Sequence, residues 1–248
     1  MSGLRVEALP GLPEIRDGDD LAALLADAAT RLPDPGLRSG DVLAVAHKVV
    51  SKAEGRVRRL AGVEPAARAL ALANEHGKDP RLVELILAES AELVRADAGR
   101  LICRTHHGFV CANAGVDRSN AGADDLAVLL PADPDHSARA LRARLGCTVV
   151  VTDSFGRAWR LGQAEVAIGL AGLAPLEDPR GTPDADGRVL VATHVAVADE
   201  AAAAADLVRT KTSREPAVRI RGLERHVLAE DGPGAAALLR SRELDLFG

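Results

Sequence analysis

Short, continuous apolar runs alternate along this chain with longer stretches in which apolar residues recur every third or fourth position. Residues 4–9 and the largely apolar runs at 42–50 and 148–151 are bounded by turn formers and read as strands. Pro10, Gly11 and Pro13 break the first, and the last stops at Asp153. Leu21, Leu24 and Leu25 share one helical face, so residues 21–29 read as a helix capped by Asp19 or Asp20. Residues 64–74 and 80–94 also read as helices, the second from the spacing of Leu82, Leu85, Ile86 and Glu89. Residues 101–110, continuing to Val116, predict a hairpin around Gly108. A loop, a short strand and a loop follow over 121–135, and Ser137 is expected to cap a helix containing 138–145. Residues 163–173 are apolar and glycine-spaced, and read as a helix or a packed turn. A strand over 189–197, an alanine-rich helix over 198–208 and a strand over 217–220 complete the pattern, and no element is assigned beyond Glu224.

Strands and helices mix without a regular βαβ rhythm, without an internal repeat and without a long linker. That order predicts an α+β fold in one domain spanning 1–248. Hydrophobic residues make up 47% and charged residues 27%, which suits a water-soluble globular chain. Aromatics are only 2%, so the core must be built from Ala, Val, Leu and Ile, and little is available to stack on bases. With a net charge of -5 as well, a general nucleic-acid surface is not expected. Cys103, Cys111 and Cys147 have no CxxC spacing and an odd count, so they are expected to be buried thiols. The N-terminal residues lack a signal-peptide pattern and no apolar run is long enough to span a membrane, so a cytoplasmic location is expected.

The familiar phosphate loops, GxxxxGK[ST] and GxGxxG, are absent. Candidate chemistry sits instead at strand ends and in glycine-containing turns. Asp117, in NAGVDRSN, and Asp153, in VVVTDSFGR, offer carboxylates for Mg²⁺ or Mn²⁺, and the hydroxyl of Ser154 offers another oxygen. Read alone, each Asp is also a turn former that bonds its own backbone. His47, Lys48 and Lys52, in AHKVVSKAEGR, suit phosphate oxygens or a solvated strand end. The Pro10-Gly11-Leu12 turn is either a ligand loop or a simple chain reversal. Arg157, Arg160 and Gln163 suit an anionic substrate or an ordinary charged surface. His106 and His107, as neighbours on a strand, would point to opposite faces, so a shared zinc site is not expected.

The blocks GDVLAVAHKVVSKAEGR, GFVCANAGVDRSN, LLPADPDHSARALR, VVVTDSFGRAWRLGQAEVAIGLAG and VAVADEAAAAADL follow one another as in the coenzyme F420-0:gamma-glutamyl ligases, and the chain resembles that family from Val6 to Leu223. The resemblance implies an α+β fold of two intertwined subdomains in a butterfly-like homodimer; some bacterial members carry a flavin-binding reductase domain after it, which is not expected in this chain. It implies GTP-dependent addition of L-glutamate to F420-0, further γ-linked glutamates, Mg²⁺ or Mn²⁺, and K⁺. Carried over by position, Asp117, Asp153 and Ser154 are metal ligands. Asp117, Asp153 and Lys52 serve catalysis. Pro10, Gly11, Leu12, His47, Lys48, Lys52 and Asn120 contact the nucleotide, as does the late loop with Arg209, Thr210, Lys211 and Thr212. The chain departs from the family pattern in a shorter N-terminal turn, in His47 for a small hydroxyl residue, in Ser154 for the usual Thr, and in a late loop with Lys211 and without glycines. These departures leave open a related ligase for another carboxylate, or a nucleotide-binding protein without catalysis.

Overall fold

The computed structural model describes residues 3–210 and 212–245. β1 (Arg5–Ala8) is followed by α1 (Leu21–Ala29), which Asp20 caps by accepting from the Ala23 N–H. The apolar run expected as one strand over 42–50 divides: β2 (Val42–Ala46) passes directly into α2 (His47–Ala53). An apolar run alone does not distinguish a strand from a buried helix turn. After β3 (Val57–Arg59) come α3 (Ala67–His76) and α4 (Pro80–Ala88). The helix expected to reach Val94 stops at Ala88, and β4 (Ser90–Asp97) begins. β5 (Arg100–Thr105) and β6 (Val110–Ala112) form the expected hairpin around Gly108, with Cys103 opposite Cys111. His106 and His107 lie in its turn rather than on a strand, each reaching a different carbonyl: Ala88 for His106, Pro131 and Ala132 for His107.

β7 (Leu126–Val128) precedes α5 (Pro134–Leu145). The cap of α5 is Asp133, accepting from the His136 N–H, and not Ser137, which lies inside the helix. β8 (Thr148–Arg157) runs on past Asp153. Its antiparallel partner β9 (Arg160–Ala171) occupies the stretch expected as a helix or packed turn. Pairing with β8 satisfies the backbone there, and the glycines leave room for close neighbours. Residues 189–197 make only isolated bridges at Val189 and Val195 and form no strand. α6 (Val197–Asp206) and β10 (Ala217–Arg221) match their expected positions.

The main sheet has the order β1-β10-β2-β8-β9. β2 and β8 are parallel, with Ala46 opposite Thr152, and the other neighbours are antiparallel. Helices cover both faces, which explains why VLAVA of β2 and VVV of β8 are apolar throughout. Leu43, Val45, Val149 and Val151 pack towards α1 and α5, whereas Val42, Ala44, Val150 and Val218 pack towards α6. A third core lies under α3, α4 and the sheet β4-β5-β6, around Leu60, Val83, Ile86 and Leu101. These layers make the fold α+β, as expected. All three cysteines are buried free thiols, and burial pushes Cys111 and Cys147 up to about 12. Among the described residues, no helix is long and apolar enough to cross a membrane.

The crossing of β9 over the start of α5 needs a residue without a side chain. A Cβ on Gly169 would lie 2.2 Å from the Pro134 carbonyl oxygen, a backbone atom that cannot swing aside. Gly169→Ala is therefore expected to lower stability by about 2 kcal/mol or more, read from the midpoint of urea unfolding. An unchanged midpoint would show that the crossing is looser than this.

Candidate functional site

The parallel pair sets the site. At the end of β2 the chain turns into α2, so His47 and Lys48 emerge beside Thr152 and Asp153 of β8. The α2 residues then reach three separate segments. His47 is only 2% exposed; its Nδ1 lies 3.4 Å from Ser51 Oγ and its Nε2 lies 3.3 Å from Asp153 Oδ1. Lys48 Nζ donates to Asp117 Oδ2 at 2.6 Å, to Ser119 Oγ at 2.6 Å and to the Ser119 carbonyl at 3.0 Å. Lys52, one turn later, pairs with Glu14 at the end of the Pro10–Pro13 turn. Three of the expected basic and imidazole groups are thus brought together by one short helix.

Asp117 is held from several sides. Its backbone bridges to Val128, and Ser119 donates to Oδ1 through its N–H at 2.8 Å and to Oδ2 through its hydroxyl at 2.7 Å. Burial acts to raise its pKa, but the hydrogen bonds from Lys48 and Ser119 outweigh that and hold the carboxyl below its ordinary value. Asp153 Oδ1 accepts the Ser154 N–H at 2.8 Å. Ser154 Oγ donates to Glu165 Oε1 at 2.5 Å, directly across the β8–β9 ladder. Glu165 in turn accepts from Arg209 at 2.5 Å, and the same Arg209 nitrogen donates to Thr152 Oγ1 at 2.6 Å.

The late loop joins the site through this guanidinium. Arg209 is buried and also donates to the Pro216 carbonyl, so its donors face inward. Thr210 and Thr212 are exposed, and Thr210 is tied to Ser213; Lys211 lies outside the described residues. Asn120 is exposed with a left-handed φ of 55°. Gly11 also has a positive φ, of 72°, and Arg31 reaches the Pro10 carbonyl at 3.5 Å, while Leu12 packs against the core. Arg157 bonds carbonyls of its own hairpin, and Arg160 and Gln163 are exposed along it. Glu14, Ser119 and Glu165 are partners that the sequence reading did not assign. Glu165 would have been found by reading 163–173 as a strand, which sets it opposite Ser154.

A cavity of about 260 Å³ opens between Glu14, Ile15, Lys52, Gly55, Ala121 and Leu126, at the flank of this cluster. A larger one, about 420 Å³, lies at the opposite end of β2 and β8 near Ser39, Cys147 and Glu224. Its Arg142 is engaged by Asp231 and by the carbonyls of Leu228 and Ala229, so the converging carboxylates and cations favour the smaller cavity. Among the described residues, no three His, Cys, Asp or Glu side chains stand together as a metal shell. The donor chemistry of Asp117, Asp153 and Ser154 nonetheless fits a hard divalent cation that keeps substrate oxygens in its shell. The Nε2 of His47 is buried without a hydrogen-bond partner among the described residues and lies 3.3 Å from Asp153 Oδ1.

The sequence profile of the F420-0:Gamma-glutamyl ligase family matches residues 11–222. The Coenzyme F420:L-glutamate ligase of Methanothermobacter thermautotrophicus is 45% identical over 252 residues, covering 99% of this chain and 99% of that protein. The protein of the same name from Methanopyrus kandleri is 45% identical over 252 residues, covering 98% and 97%. That of Natronomonas pharaonis is 44% identical over 246 residues, covering 96% and 92%.

Two measurements separate structural from ligand-directed roles here. Arg209→Met leaves Glu165 buried at 5% exposure without its cation, so a loss of about 3–5 kcal/mol in urea unfolding is expected. A neutral outcome would free Arg209 for a ligand. Asp117 has a depressed folded pKa, so its stabilisation is complete above the unfolded value of about 3.9 and is lost as pH falls through the lower folded value. Lys48→Met should move that folded value upward, followed by carboxyl ¹³C NMR titration. No movement would mean that the Lys48–Asp117 contact is absent in solution.

Proposed function

This chain belongs to the F420-0:gamma-glutamyl ligase family, and we propose that it is a GTP-dependent ligase joining L-glutamate to coenzyme F420-0 through an acyl phosphate. The observation that carries this reading is the convergence on α2: one helix pairs with Asp153, Asp117 and the N-terminal turn at once. The similarity of the whole chain to proteins named Coenzyme F420:L-glutamate ligase supports the substrates.

A carboxylate is a poor acyl donor, so it must be activated before an amine can attack it. In the proposed reaction the F420-0 carboxylate oxygen attacks the γ-phosphorus of GTP and GDP leaves. The glutamate nitrogen, having lost a proton, then attacks the acyl carbon, and inorganic phosphate leaves as the amide forms. The protein's part is to position these groups and offset their charge. Lys52 and Lys48, paired with Glu14 and Asp117 in the free chain, would turn to phosphate oxygens when the nucleotide binds. Pro10 to Leu12 would border the nucleotide, with Asn120 and the exposed threonines of the late loop on other sides. Asp117, Asp153 and Ser154 would hold Mg²⁺ or Mn²⁺, which when bound neutralises phosphate charge. Arg209 and Glu165 act behind them, keeping Ser154 and Thr152 in place. A homodimer belongs to the same reading, supported by exposed Trp159 and Leu161 at the β8–β9 tip, which association would bury.

The test is a mass-spectrometric assay with F420-0, L-glutamate, GTP and Mn²⁺. A product heavier by one or more glutamyl units, with GDP formed in step, is expected. Asp153→Asn should reduce turnover by about a hundredfold or more while leaving the unfolding midpoint in place, as for loss of a charge-stabilising group. Absence of product from the unaltered protein would overturn the substrates, and full activity of the variant would remove Asp153 from the site.

A further inference from the structure

His47 carries an arrangement that the contacts among the described residues leave unused. Its ring is fixed by burial and by Nδ1 beside Ser51 Oγ at 3.4 Å. Its Nε2 is buried and has no hydrogen-bond partner among the described residues, although Asp153 Oδ1 stands 3.3 Å away. At that separation the two atoms are within ion-pair reach, yet they make no hydrogen bond. A buried polar atom without a partner is unfavourable, and such atoms in native proteins call for an explanation.

Metal coordination provides one. Two neighbouring ligands on an octahedral ion, each about 2.1 Å from it, stand about 3.0 Å apart. Nε2 and Oδ1 are close to that spacing, and ligation needs both lone pairs aimed at a shared point rather than at each other. With its proton on Nδ1, facing the Ser51 hydroxyl, His47 presents the Nε2 lone pair that a metal requires. Ser51 is itself fully buried and lies one turn along α2, so it would set the ring's tautomer and orientation.

Resting on the metal-dependent reading above, we infer that His47 Nε2 is a direct ligand, with Asp153, of the divalent cation. The imidazole would tilt the site away from Mg²⁺ and towards first-row transition ions, because nitrogen donors gain more from those ions than from Mg²⁺. His47 is then a metal-selecting residue, while Lys48 beside it serves phosphate.

The experiment is pulsed electron paramagnetic resonance of the full chain with Mn²⁺ and GTP. Protein grown on ¹⁵N-histidine should show ¹⁵N coupling to Mn²⁺, which excludes nitrogen from the nucleotide as its source. His47→Gln, close in size, should abolish the coupling and lower Co²⁺ affinity about 10–100-fold, with a smaller loss for Mg²⁺. Bound Mn²⁺ with oxygen ligands alone in the unaltered protein would overturn this assignment and leave the metal-dependent reading intact. No Mn²⁺ bound in the presence of GTP would overturn both. Coupling that survives in His47→Gln would assign the nitrogen to a different histidine and likewise overturn it.

Discussion

The parallel register of β2 with β8 is the constraint from which the site follows. Pairing Ala46 with Thr152 brings two chain segments out of the sheet at the same level. One turns at once into a helix and the other continues into a hairpin, so their next residues, His47 and Asp153, meet. A register shift in either strand would turn its side chains to the opposite face. Such a shift would exchange Leu43 and Val45 of one core with Val42 and Ala44 of the other, so with both faces apolar it is the volumes packed in the two cores that oppose it. Ordinary burial thus fixes where the polar groups stand.

Behind the site lies a second layer of buried charge. Arg209 and Glu165 are both nearly inaccessible, and each also binds a hydroxyl next to Asp153: Arg209 that of Thr152, Glu165 that of Ser154. A buried ion pair adds little net stability compared with a well-packed apolar pair, but losing one partner is costly. Its retention here is explained by position, because the pair orients polar groups where an apolar pair could not. Arg219, fully buried in β10, does similar work at the sheet's other strands by binding Glu7 and the carbonyls of Asp34 and Gly36. The late loop is therefore anchored from within by Arg209.

Much of this was legible in the chain. Helix α1 was visible from Leu21, Leu24 and Leu25, and the hairpin from Gly108 between apolar runs. Where the reading failed, the signal was ambiguous rather than absent. Val49 and Val50 of α2 extend the largely apolar run of β2, and only the sheet's end decides that it turns helical. GQAEVAIGLA lacks clean alternation because the inner half of β9 is buried on both faces, so its period was lost. That one misreading also hid Glu165. Asp117 and Asp153 were picked out as candidates, but their tie to α2 depends on contacts more than sixty positions apart, which local pattern cannot show.

The third core has its place in the same logic. Just before Asp117, the backbone of Asn113, Ala114 and Gly115 has φ values of 54°, 51° and 73°, and Asn120 follows at 55°. For residues with a side chain such conformations cost about 1–3 kcal/mol each and persist only where packing over-determines them. Here the packing is visible: Ala114 and Val116 are buried in the core of α3, α4 and β5, and a Cβ on Gly115 would strike Leu130 at 2.6 Å. The small sheet and its helices hold a strained turn, and the turn presents Asp117 to Lys48. Two cores of the chain set Asp153 by strand register, and the third sets Asp117 by strain, so the two carboxylates reach α2 by independent routes.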